Sequence, residues 1–130
     1  MKKRIKKYNL QDNITIVGFV KNPFPYIKDT DIICLTSKNE GFSTTLIEGL
    51  RFNKPYISTS NGVSEEIVNE EVGLVANTKE EISDSIYELM KNKDLYSKFK
   101  NNCKEVVERF SIENQVRKAE KLFDEILNEE

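Results

Sequence analysis

Two carboxylates, Glu40 and Glu48, stand with seven residues between them in the stretch Ser37–Leu50 (SKNEGFSTTLIEGL). They bracket the point where a polar loop turns into a helix opening at Ser43 or Thr44. The first N–H groups of a helix have no partner inside it, and the helix dipole favours an anion there. Gly41, just upstream, carries no Cβ to keep a ligand from the backbone. Glu48 follows Thr44 by four residues and Thr45 by three, so it shares their face. It lies roughly 7 Å up the axis at about 1.5 Å per residue. A phosphate at the helix tip and a diol held by the carboxylate further along would together suit a nucleotide-sugar. Phe42, Leu46, Gly49 and Leu50 follow core spacing instead.

The elements that must hold this stretch are readable on either side. An apolar strand, Asp31–Leu35, runs up to Thr36 and Ser37. Upstream, Lys2–Leu10 reads as a helix with five basic residues, packed through Ile5, Tyr8 and Leu10. Ile14–Val17 is a β-branched strand ending at Gly18. Gly18, Phe19 and Val20 lead into a short helix near Pro25–Lys28. That loop reads either as a ligand-lining segment or as a strand-to-helix turn in which Phe19 caps the core. Downstream, Asn53 is a left-handed helix stop and Pro55 opens the strand Tyr56–Thr59. Ser64 caps a short helix to about Asn69, and Gly73–Ala76 is a last strand. Thr78 and Glu81 form a capping box. Asn92 and Ser111 cap two further helices, whose stripes (Leu95, Phe99, Cys103, Val106; Ile112, Val116, Phe123, Ile126) read as ordinary core. Alternating strands and helices imply a parallel, three-layer α/β domain. Ligands bind beyond the carboxyl ends of such strands, where both Gly18 and Glu40 fall.

Composition bounds the remaining choices. At 130 residues the chain is expected to be one domain. Twenty basic residues against 22 acidic ones give no general attraction to nucleic acid. No apolar run approaches the roughly 20 residues that span a bilayer, and the basic N-terminus lacks the apolar core of a secretory signal. Two unpatterned cysteines, Cys34 in a core strand and Cys103 in a late helix, fit a reducing cytosol; with no histidine, no metal site is expected. The basic first helix leaves two readings open, a solvated helix face or peripheral attachment to the inner face of a membrane.

The stretch EGFSTTLIEGL, with Glu40 and Glu48 at its ends of charge, resembles the E-x7-E signature of retaining glycosyltransferases of the GT-B fold, nearest the family 4 type. Ordered blocks support the resemblance along nearly the whole chain: Asn13–Val20, Lys54–Gly62, Glu65–Val68, Gly73–Val75 and Phe110–Ser111. It implies a Rossmann-like parallel sheet of about four strands, forming the donor-binding C-terminal part of such an enzyme over residues 1–130, with C-terminal helices from 94. It implies that Glu40 is the catalytic-centre carboxylate near the donor sugar and that Glu48 binds the ribose hydroxyls. Backbone around Ser37, Gly41, Phe42, Ser43, Thr44 and Thr45 would hold sugar or diphosphate. Gly18, Phe19 and Val20 would run along the base. The donor would be a UDP-, GDP- or ADP-sugar, used without cofactor or metal for transfer to a glycan or lipid-linked acceptor in polysaccharide biosynthesis. Taken singly, Glu40 also reads as a solvated loop acid, and Glu48 as a surface charge paired with Arg51.

Parts of the GT-B pattern have no counterpart here: the acceptor domain, the first two donor-domain strands, and the loop whose Arg and Lys grip the diphosphate. Lys54 and Arg51 do not match those positions. The family's two middle strands would separate Ile14–Val17 from Ile32–Leu35, and closure into a four-stranded sheet is expected. Position 43 is Ser where Gly is common, and 49 is Gly where Ala is common. Two functions follow as alternatives. One is a donor-binding part that is active with a complementary N-terminal half or second chain. The other is an inactive remnant or protein-interaction module.

Overall fold

The computed structural model describes residues 1–41, 43–62, 67–68 and 71–128. The helix expected from Ser64 to Asn69, and Phe42 itself, fall wholly or largely outside them. Three strands form one parallel sheet in the order β1 (Ile33–Leu35), β2 (Tyr56–Ser58), β3 (Gly73–Val75). Ile33 pairs with Tyr56, which pairs with Gly73. The helices are α1 (Lys2–Lys7), α2 (Phe24–Asp29), α3 (Thr44–Arg51), α4 (Lys79–Lys91), α5 (Lys93–Glu108) and α6 (Ile112–Asn128).

Alternation along the strands divides the core between the two faces of the sheet. On one, Tyr56 packs with Leu46 and Leu50 of α3, with helical Ile67 and Val68, and with Cys103 and Val106 of α5. On the other, Ile57 and Ala76 meet Leu89 of α4 and Phe99 of α5. Because α5 serves both clusters, it has to round one end of the sheet, and its side chains show which. Tyr96 Oη donates to the Asp31 carbonyl at 3.2 Å, just before β1. Cys103 Sγ lies 3.6 Å from the Lys54 carbonyl, just before β2. Asn102 Nδ2 donates to the Glu71 carbonyl at 2.9 Å, just before β3. The amino-terminal end of all three strands is thereby closed, and the carboxyl end is left for the loops.

Local signals were sound where a side chain answers its own backbone. The Thr78–Glu81 capping box forms at α4, Asn92 Oδ1 accepts from Leu95 N at α5, and Ser111 Oγ accepts from Asn114 N. Asn53 sits at φ 54°. The expectations that required a partner elsewhere are corrected. The sheet has three strands, not about four: Ile14–Val17 is not a strand, and among the described residues no hydrogen bond joins it to β1. An isolated extended segment has only water for its N–H and C=O groups. The chain beyond it is instead drawn to α3 through α2, where the Phe24 and Phe52 rings lie 6.0 Å apart. Phe19 does not cap the core; it is 97% exposed. Tyr8 is exposed, and α1 buries none of its residues. Cys34 is exposed on edge strand β1, whereas Cys103 is buried and its thiol is pushed up to about 12 by that burial. The apolar stripe of α6 is no core stripe here. The helix has no buried residue, and Val116, Phe123 and Ile126 are exposed.

Candidate functional site at the tip of the third helix

Helix α3 begins at Thr44 because Ser43 is extended (φ −84°, ψ 98°). The Ser43 side chain makes no capping hydrogen bond. Its carbonyl accepts from Leu46 and Ile47, so the first-turn amides have no acceptor within the helix. Ser43 is 6% exposed, while Thr44 and Thr45 are open to solvent. The tip therefore has a buried root and an accessible first turn. Among the described residues, nothing lies within 4 Å of where a Cβ on Gly41 would stand.

The structure assigns the two carboxylates to different places. Glu40, half-buried, pairs as an isolated parallel bridge with Gly62, beyond the carboxyl ends of β1 and β2. Glu48, also half-buried, lines a cavity of about 720 Å3 with Thr44 and Arg51 on the same face of α3. Phe24, Phe52 and Phe110 supply apolar wall, so a few polar groups converge in an otherwise greasy hollow, as small-molecule sites do. Thr44 and Glu48 thus share a face as the spacing predicts. Thr45 instead gives its carbonyl to Tyr56 Oη beneath the helix. Among the described residues, Glu48 makes no ion pair with Arg51. The stretch Gly18–Val20 is not brought to the tip by any hydrogen bond among the described residues. Gly18 turns at φ 76° and Val20 is half-buried. Phe42 lies outside the described residues.

Several rim residues escaped the sequence reading. Thr59 Oγ1 donates to the Ser37 carbonyl, and Asn61 Nδ2 reaches it at 3.5 Å. Ser60 N donates to Asn77 Oδ1 at 2.8 Å. Asn77 N in turn donates to Glu81 Oε2 at 2.6 Å. The ends of all three strands are laced together next to Glu40. The signal was present: Thr and Asn follow each strand within a few residues, where hydroxyl and amide side chains bond nearby backbone. Among the described residues, no group of three or more His, Cys, Asp or Glu is placed to hold a metal ion. No helix among them is long and apolar enough to cross a membrane.

A parallel α/β sheet sealed at its amino end, with a bare helix tip at the other, defines a Rossmann-like domain of the kind found in GT-B glycosyltransferases. The chain belongs to the family Glycosyl transferases group 1, which it matches over residues 1–106. An uncharacterized glycosyltransferase of Methanocaldococcus jannaschii is 26% identical over 95% of the chain and 38% of that protein. N-acetylgalactosamine-N,N'-diacetylbacillosaminyl-diphospho-undecaprenol 4-alpha-N-acetylgalactosaminyltransferase of Campylobacter jejuni is 29% identical over 77% of the chain and 28% of that protein. Among solved structures, the Anabaena HepE protein in complex with UDP superposes with a TM-score of 0.83 at 20% identity, covering 95% of the chain and 35% of HepE. The chain spans 14 to 38% of the length of the curated relatives it matches.

Proposed function

We propose that this chain is the donor-binding part of a sugar-nucleotide glycosyltransferase that works with retention at the sugar carbon. The observation that carries the reading is the first turn of α3. Its Thr44 and Thr45 are accessible, the Ser43 side chain does not cap its amides, and Glu48 lines a cavity on the same face as Thr44. The amides of Ser43 and Thr44 would receive the anionic diphosphate or sugar hydroxyls. The Glu48 carboxylate would accept from the two ribose hydroxyls. Glu40, at the strand ends beside Gly62, would stand by the sugar ring and steady positive charge developing at the reacting carbon. The diphosphate would leave. HepE was solved with UDP, which supports a uridine nucleotide as the first donor to try. The name of the Campylobacter relative supports a lipid-linked or glycan acceptor.

The leaving diphosphate gains charge, and compensating it is usually a large catalytic contribution. Arg51 lines the cavity a turn beyond Glu48, away from the tip. Catalysis therefore needs a further stretch of polypeptide to grip the diphosphate and present the acceptor. The exposed α6 stripe and the position of β1 at the edge of the sheet are observations that favour such a partner. Calorimetric titration with UDP-, GDP- and ADP-glucose tests the binding step. One of them is expected to bind at up to millimolar concentration, with binding lost in Glu48→Ala and kept in Glu120→Ala. No heat from any of the three, or equal binding by Glu48→Ala, overturns the assignment.

A further inference from the structure

We infer that Tyr56 is a positioning residue for the donor site, pinning helix α3 through a hydroxyl wedged against the helix's own hydrogen-bond ladder; the link to the donor rests on the function proposed above. Tyr56 is fully buried on β2. Its hydroxyl donates to the carbonyl of Thr45, and it lies directly under Gly49, where a Cβ would meet that same hydroxyl oxygen. Thr45 carbonyl and Gly49 N–H are the two ends of one i to i+4 helical bond. The hydroxyl thus sits at a rung of α3, a position at which an inserted side chain can set a helix's course.

The fit depends on residue 49 having no side chain. A Cβ there would collide with Tyr56 Oη and with Ile33 Cδ1, and would crowd Tyr56 Cε2 at 2.8 Å. Small at 49 and large at 56 are one arrangement: the glycine lets the ring pass under the helix, and the ring fills the space. Burial and the nearby Glu48 carboxylate both hold the Tyr56 phenol protonated, so it remains a donor at every ordinary pH. The rung it grips begins in the first turn, one residue after Thr44, and ends beside Glu48. The pin therefore fixes the height over the sheet of the two groups that would bracket a ribose and a diphosphate.

Amide hydrogen exchange read by NMR tests the pin without any ligand, and titration with UDP-, GDP- and ADP-glucose tests its consequence. In Tyr56→Phe, protection at Gly49 is expected to fall by about fivefold or more, the worth of one ordinary hydrogen bond. Protection at Ile57 and Phe99 should fall less. The dissociation constant for the donor should rise by a similar factor, while Val106→Ala, a core change elsewhere on the same face, lowers stability without moving it. In the unmodified protein, a slowly exchanging Tyr56 hydroxyl proton should give a nuclear Overhauser contact to the Gly49 amide, an arm that holds even if the variant does not fold. Uniform loss of protection, or no such contact, overturns the pin. Binding of a donor by the wild type with an unchanged constant in Tyr56→Phe overturns the positioning role. Failure of the wild type to bind any of the three nucleotides overturns the donor-site reading, and with it the positioning role, while the exchange arm still decides the pin.

Discussion

The two ends of the sheet are built by opposite means. At the amino end a single helix, α5, lies across the starts of all three strands and bonds the backbone ahead of each. At the carboxyl end, among the described residues, no helix bonds across the three strands in this way. Short loops are tied to one another by Thr59, Asn61 and Asn77, and a helix presents its tip. The first arrangement buries apolar side chains and takes up the backbone carbonyls ahead of each strand. The second spends hydrogen bonds on holding loops still while keeping amides accessible. Stability should therefore reside at one end and binding at the other, and substitutions can separate them.

The largest effect is expected at the closed end. Phe99 on α5 is buried among Ile57, Ala76 and Leu89. Phe99→Ala removes a ring from a site that cannot collapse onto it and should cost about 3–5 kcal/mol. That is much of the 5–15 kcal/mol typical of a domain. Urea unfolding followed by circular dichroism measures it. Glu48→Ala, in the same assay, should stay within about 0.5 kcal/mol of wild type. A Glu48→Ala loss as large as that of Phe99→Ala would erase the distinction between the two ends.

A second test lies where the ends meet, under α3. Gly49→Ala drives a methyl into Tyr56 and Ile33 and should cost about 1–3 kcal/mol by overpacking. Part of the obstruction is the Tyr56 oxygen, so the same substitution in a Tyr56→Phe background should cost less. The two changes would then be non-additive, as residues in contact are. Strict additivity in urea midpoints would show that the hydroxyl and the missing Cβ are independent features.

What could be read from the sequence divides along a related line. Caps at Thr78, Asn92 and Ser111, the left-handed Asn53 and the bounds of α3 were legible because each is decided by residues a few positions away. The same is true of the acids flanking the helix tip. The Ile14–Val17 strand and the buried stripe of α6 were misread because both are conditional statements. A β-branched run is a strand only beside another strand, and an amphipathic helix is core only under another layer. Neither the exposed Val116 and Phe123 nor the exposed Phe19 announces in its own pattern what lies opposite. The Gly49–Tyr56 fit was half visible, as a glycine at a core position of a helix. Its reason, a tyrosine seven residues on, needed the crossing of strand and helix.

The smallest effect expected is a pH dependence confined to the open rim. Glu81, fully exposed, accepts from Asn77 N at 2.6 Å and from Thr78 N at 3.2 Å, and these two amides hold its carboxyl below the usual 4.5. A carboxylate whose folded pKa is depressed adds stability that is complete above the unfolded value and disappears as pH falls through the folded one. Glu81→Gln keeps an acceptor oxygen at the cap but has no charge to lose. Its urea midpoint should therefore sit slightly below wild type at pH 7, and the gap should close below pH 4.5. Because Asn77 also holds Ser60, the charge on Glu81 bears on the loop beside Glu40, and donor binding should weaken slightly in the variant at neutral pH. A gap that stays constant with pH would mean that the cap is held by its geometry alone, and that the rim takes no stiffness from charge.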